Sequence, residues 1–191
     1  MAAQRPDPAD PGTTYMDVLA IASEIRRLHL HSNEGEVNGV WNSVLNWVFD
    51  PVNGFITKPQ AMHTGTGGAR DFSDFHTLAV AGRTRHSFLI TQCKSPDGEG
   101  KKSVWADGEA QLLRYLRMEH SNRRGPQRPA YGILAIGRRV RFFQYYRAID
   151  DIRGWRPSRP IPDRRGDRDF YHLEREATQV QMALRDILNH H

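Results

Sequence analysis

The chain carries a single cysteine, Cys93. No intrachain disulfide can staple it, and such usage suits a reducing compartment. No apolar run reaches the roughly 20 residues that a membrane-spanning helix needs. The start has no charged-then-apolar leader of the cleavable kind. The expectation is a soluble intracellular protein, cytoplasmic or nuclear, with no membrane partner. No internal repeat is visible. The glycine-rich run Thr64-Gly65-Thr66-Gly67-Gly68 lacks the Gly-Lys-Ser/Thr ending of a phosphate-binding loop. Acidic residues are the minority charge, 22 against 27 basic, for a net charge of +5. That excess permits a polyanionic partner without proving one.

What is present suits one globular unit. A length of 191 residues gives enough chain for a substantial core in a single domain. Residues 1–13 are rich in Pro, Asp and Ala and read as a disordered tail, leaving 14–191 as the domain. Apolar residues at helical spacing predict a helix over 15–29, capped by Thr13 or Thr14, and a second over 36–49 with Val37, Val40, Trp41, Val44, Leu45, Trp47 and Val48 inside. Phe55-Ile56-Thr57 predicts a short strand. Residues 58–70 then read as a loose connection.

Two further runs predict a β-hairpin. Asp74 to Val80 alternates and then turns apolar. Ala81-Gly82-Arg83-Thr84-Arg85 can turn, and Phe88 to Thr91 reads as a buried strand that Ser95-Pro96-Asp97-Gly98 stops. Gln92 and Lys94, two apart, share a face. The hairpin brings Asp74 close to both. Cys93 faces the other way and reads as a small core residue. His76 shares the face of Asp74. Residues 104–119 predict a helix with Gln111 and Tyr115 on one side. A basic loop over 120–129 holds Arg123, Arg124 and Arg128. Strands over 130–136 and 140–146 predict a hairpin at the sheet edge. A Pro- and Arg-rich surface loop over 151–169 and a helix over 170–188 follow. His190-His191 reads as a tag remnant rather than a metal site. The order α, α, β, β-hairpin, α, β-hairpin, α predicts an α/β fold with a mixed central sheet flanked by helices.

An acid on one strand, an acceptor-x-Lys on the next and a later Gln-x-x-x-Tyr helix resemble the PD-(D/E)XK nuclease superfamily. Ser73-Asp74 stands for its Pro-Asp and Gln92-Cys93-Lys94 for its Glu-x-Lys. Gln111-Leu112-Leu113-Arg114-Tyr115 resembles the helix motif of the RecB-like branch. The wording is also similar to a group of fungal proteins carrying this domain, and the resemblance covers roughly 34–146. It implies a restriction-endonuclease-like core with an added helix at each end. It also implies metal-assisted phosphodiester hydrolysis, on DNA rather than RNA, with a homodimer as one possible assembly.

In that reading Mg2+ or Mn2+ is held by Asp74, the Gln92 amide oxygen and the Cys93 carbonyl, since hard cations want oxygen. Lys94 positions the attacking water or neutralises developing charge. Glu36, or next Glu34, adds an acid from the preceding helix, although an acidic first turn also suits the helix dipole. Gln111 and Tyr115 orient DNA or the lysine. A glutamine in place of the second acid removes one negative charge, so weaker magnesium binding and a preference for manganese are expected. Two rivals stand beside this. Asp74 and Lys94 could form a mere hairpin salt bridge, which contributes little when exposed. Alternatively, an inactive nuclease fold could bind nucleic acid or a protein partner, using Arg123, Arg124, Arg138, Arg139 and Arg141 on phosphates.

Overall fold

A computed structural model describes residues 6–64, 70–120, 128–157 and 170–191. The helices are α1 (Leu19–Arg27), α2 (Glu34–Val48), α3 (Lys102–His120) and α4 (Ala177–His190). The strands are β1 (Phe55–Thr64), β2 (Arg70–Ala81), β3 (Thr84–Lys94), β4 (Ala130–Ile136), β5 (Arg139–Tyr146), β6 (Asp151–Gly154) and β7 (Tyr171–His172). They form one sheet in the order β1-β2-β3-β4-β5-β6, with β7 also on β5. The β3–β4 pair is parallel and the other pairs are antiparallel. The fold is therefore the expected α/β arrangement, a mixed sheet between helices, as in a restriction-endonuclease-like core.

The parallel pair needs a crossover, and α3 supplies it. Every residue of β4 is buried, as expected of a strand covered on both faces. One apolar cluster joins α1, α2 and α4 to one face of the sheet through Trp41, Leu45, Leu89, Ile133 and Leu184. A second joins α3 to the other face through Ile90, Leu112, Leu116 and Leu134. Gly108 brings α3 close to the sheet, because a Cβ there would lie 2.7 Å from Leu134 Cδ1. Leu134 pairs with Gln92, so α3 crosses at the level of the Gln92–Lys94 end of β3.

Several boundaries differ from expectation. The first helix is split: a short 3-10 turn at Tyr15–Asp17, boxed by Thr14 and Asp17, precedes α1, with Val18 extended between them. The Tyr15 hydroxyl donates to the Leu173 carbonyl at 2.6 Å. Residues 6–13 lie along α4 instead of trailing as a tail. The Arg185 guanidinium donates to the carbonyls of Pro8, Asp10, Pro11 and Thr13. Helical pattern recognition misses such a strap, because one side chain reading four carbonyls leaves no periodicity.

The first strand is far longer than Phe55-Ile56-Thr57. β1 and β2 pair from Phe55↔Ala79 out to Thr64↔Arg70, whereas β3 joins β2 only from Phe75↔Thr91 onward. The outer part thus runs on as a two-stranded ribbon about 16 Å past the last β2–β3 pair at ~3.3 Å per residue. Pro59 is tolerated because β1 is an edge strand. Most of the glycine-rich run, residues 65–69, lies outside the described residues. The β4–β5 hairpin is internal rather than at the edge, since β6 and β7 both add to β5. The final helix begins seven residues later than 170, after β7. His191 packs its ring on Phe88 at 4.5 Å and Phe55 at 5.2 Å, so it belongs to the packed fold. No helix among the described residues is long and apolar enough to cross a membrane.

Candidate functional site

The site forms where β3 ends. Phe75 pairs with Thr91, so Asp74 and Gln92 are the next opposed residues along the ladder. Alternation then places Asp74, Gln92 and Lys94 on the face that α3 covers, with Ile90. Cys93 points the other way, is fully buried and belongs to the opposite cluster. Its backbone nevertheless serves the site. The Cys93 N–H donates to Asp74 Oδ2 at 2.8 Å. A residue's N–H and C=O leave a strand on the same edge, so the Cys93 carbonyl leaves β3 on the edge that faces β2.

Asp74 collects two further donors. Gln92 Nε2 donates to Oδ2, and Asn38 Nδ2 approaches Oδ1 at 3.5 Å, a long and weak contact. Asn38 comes from α2, whose first residue, Glu34, lies one turn before it on the same side. Glu34 Oε2 is 3.7 Å from Lys94 Nζ. The hairpin salt bridge considered from the sequence is therefore not what forms. Lys94 pairs with the helix, and Asp74 is held by amides and a backbone N–H.

Burial sets the electrostatics. It raises the Asp74 carboxyl above the usual carboxylate range, against the pull of the Cys93 N–H, Lys94 and the amides of Asn38 and Gln92. Burial also raises Glu34; Lys94 pulls it down, and the charge of Asp74 pushes it up again. Two carboxylates with one lysine between them lack compensating positive charge. The buried Cys93 thiol is raised well above its ordinary value by burial and by these same two acids, which makes it inert as a nucleophile.

Two oxygens in this cluster have no partner. Gln92 Oε1 and Asn38 Oδ1 are both buried and unsatisfied. Each unmade bond of this kind costs about 1–3 kcal/mol. A hard divalent cation is the ligand that such oxygens, beside two carboxylates, suit. Among the described residues, no group of three or more His, Cys, Asp or Glu side chains is placed to hold a metal. Any cation here would rest on Asp74 and Glu34 together with amide and carbonyl oxygens.

Not every expected residue gathers here. Glu36 does not: its carboxylate accepts from the Asn33 N–H at 2.8 Å, while Asn33 Oδ1 accepts from the Glu36 N–H, a complete capping box. Glu34, the next candidate on the helix, is the acid that reaches Lys94. The spacing Asn33-x-x-Glu36 is itself the capping signature and would have assigned Glu36 to the helix end. Asn38 carried no sequence signal beyond its spacing of four from Glu34. Gln111 Nε2 donates to the Tyr115 hydroxyl at 2.6 Å, and Tyr115 is fully buried. The two meet on one side of α3. His76 shares the Asp74 face but is engaged by Ser87 and lies 4.0 Å from Glu119.

The arginines foreseen for phosphates are used within the fold. Arg138 donates to the carbonyls of Arg26 and Leu28 and lies 3.9 Å from Glu174. Arg139 is 3.4 Å from Glu99 and stacks over Phe170. Arg141 pairs with Glu109 and covers Trp105. Arg123 and Arg124 lie outside the described residues, and Arg128 is exposed. An apolar surface does flank the site. Phe72, two residues before Asp74 on the same face, is paired with Met62 across the ribbon, and the two are 54% and 52% exposed.

No protein-family profile and no curated protein matches the chain. Among solved structures there is a likeness to a chain of "cryoEM structure DrdV-DNA complex", at 12% identity and a TM-score of 0.43. It covers 65% of this chain and spans only 11% of that one.

Proposed function

We propose that the chain is a divalent-metal-dependent nuclease of the PD-(D/E)XK kind, hydrolysing phosphodiester bonds in DNA in preference to RNA. The observation that carries this reading is the convergence of Asp74, Gln92, Lys94 and Glu34 from three elements at the end of β3. The end of a parallel strand is where open α/β sheets bind ligands. Asp74, the Gln92 amide oxygen and the Cys93 carbonyl would hold Mg2+ or Mn2+, with Glu34 in place of Glu36 as the helix acid. The cation supplies a water of lowered pKa and neutralises phosphate charge.

The chain's own groups do the rest. Lys94, 25% exposed, holds the attacking water or a phosphate oxygen and offsets charge as it develops. Glu34 keeps that ammonium aimed into the site. Gln111 and Tyr115, bonded to each other on α3, would orient the DNA or the lysine. Phe72 and Met62 offer an apolar surface for a base beside the scissile phosphate, since every base has a face that stacks. The basic excess of the chain draws in the polyanion.

A second reading, a nuclease fold that binds nucleic acid or a protein without cutting, is favoured by one feature. An amide stands where a second strand acid would be, so only two carboxylates serve the site. Incubating labelled single- and double-stranded DNA and RNA with the protein in Mn2+, Mg2+ or chelator separates the two. Cutting that the chelator abolishes supports the nuclease. Salt-sensitive binding with no cutting in either metal supports the binder.

A further inference from the structure

Asp74 is surrounded by amides in a way that a simple structural carboxylate does not require. Asn38 Nδ2 faces Oδ1, Gln92 Nε2 faces Oδ2, and the oxygen at the other end of each amide is buried without a partner. Gln92 as a whole is only 2% exposed. The nearest cationic group, Lys94, is engaged by Glu34 at 3.7 Å. Each amide therefore spends its donor on Asp74 and leaves its acceptor unused.

The charge of Asp74 dictates this orientation. A carboxylate repels an amide oxygen and attracts an NH2 group. A cation beside the carboxylate reverses that preference. Rotating a terminal amide by half a turn exchanges its oxygen and nitrogen with almost no change of shape, so a buried amide can reverse without making room.

We propose that Asn38 and Gln92 form a paired amide switch: their NH2 groups clamp Asp74 in the cation-free protein, and their oxygens turn inward to ligate a hard divalent cation. Asn38 is thereby a cation ligand in its own right. The resulting set is all oxygen, with Glu34 and Asn38 from adjacent turns of α2 and Asp74 and Gln92 from adjacent strands. Two carboxylates and two amides suit Mg2+, Mn2+ or Ca2+ rather than a thiolate-seeking metal. Because the amides are neutral, affinity is modest and rises when either becomes an acid. This rests on the metal-dependent reading of the same site.

The test measures binding, not cleavage. Free Mn2+ is followed by electron paramagnetic resonance as protein is titrated in, with wild type, Asp74→Ala, Asn38→Leu and Asn38→Asp compared. The side-chain NH2 resonances of Asn38 and Gln92 are followed by NMR during a Mg2+ titration. The proposal expects Asn38→Leu to weaken Mn2+ at least tenfold, Asn38→Asp to tighten it at least tenfold, and both NH2 pairs to shift on saturation. Mn2+ binding that Asp74→Ala abolishes but both Asn38 variants leave unchanged would overturn the switch and keep the metal site. Unmoved NH2 resonances at saturation would do the same. No Mn2+ binding by the wild type at millimolar concentrations would remove the metal-dependent reading together with the switch.

Discussion

Gln92 donates its side-chain amide to Asp74 across the β2–β3 ladder, and the next residue's backbone N–H donates to the same carboxylate oxygen. One strand end thus presents an acid, an amide and a peptide group to a single point. Lys94 follows, two residues further on the same face, tied to Glu34 of α2.

The two helix acids separate by role. Glu34→Gln is expected to lower metal-dependent cleavage at least tenfold with little change in melting temperature. Glu36→Ala is expected to leave cleavage within about twofold and to cost about 1 kcal/mol of stability, because it removes half of a capping box. Cleavage rates and thermal melts on the two proteins check this. The reverse pattern would restore Glu36 to the site.

Stability of the metal-free protein depends on pH through Asp74. Its carboxyl is raised by burial, so the folded state binds a proton more readily than the unfolded chain. The contribution is fully favourable below the ordinary carboxylate pKa and is lost as pH rises through the raised value. Asp74→Asn removes that dependence. Its stability relative to wild type is expected to improve as pH rises from about 4 toward 7. Urea melts across that range measure the difference; a flat or falling difference would contradict it.

Gly137 holds the lysine strand in place. It has φ +54, its N–H donates to the Lys94 carbonyl at 3.1 Å, and a Cβ there would meet Pro96 Cα at 2.7 Å. Gly137→Ala is expected to cost about 1–3 kcal/mol in stability and to lower cleavage through Lys94. Denaturant melts give the first quantity and an activity assay the second.

The ribbon supplies a separate test. Phe72→Ala with Met62→Ala is expected to weaken DNA binding about tenfold, the loss of one base stack, without touching the metal response. Equal affinity for wild type and double variant would assign the exposed pair another role.

Much of this was legible in the residues. Asp74 to Lys94 reads as a hairpin because its turn chemistry and apolar runs agree, and β4 reads as buried because Ala130 to Ile136 has no charged side chain and is almost wholly apolar. What escaped is non-local. The length of β1 depends on pairing with β2 through residues such as Lys58 and Pro59, which have poor strand propensity, and across Gln60, whose φ is +47. The strap of residues 6–13 depends on Arg185, over 170 residues away. Arg138, Arg139 and Arg141 look free in a basic sequence, yet each meets a glutamate that only folding brings near. Glu34 and Asn38 join the site because α2 starts at the end of β3, a tertiary fact with no local signature.

The most direct measurement is single-turnover cleavage of DNA in Mn2+ by wild type and Lys94→Ala, with salt-dependent DNA binding and thermal melts run on both. The wild type is expected to cleave, with cleavage abolished by chelator and slowed about a hundredfold or more in the variant, and with binding and folding retained. Equal cleavage by both proteins, or none by the wild type in either metal while binding persists, would contradict this expectation.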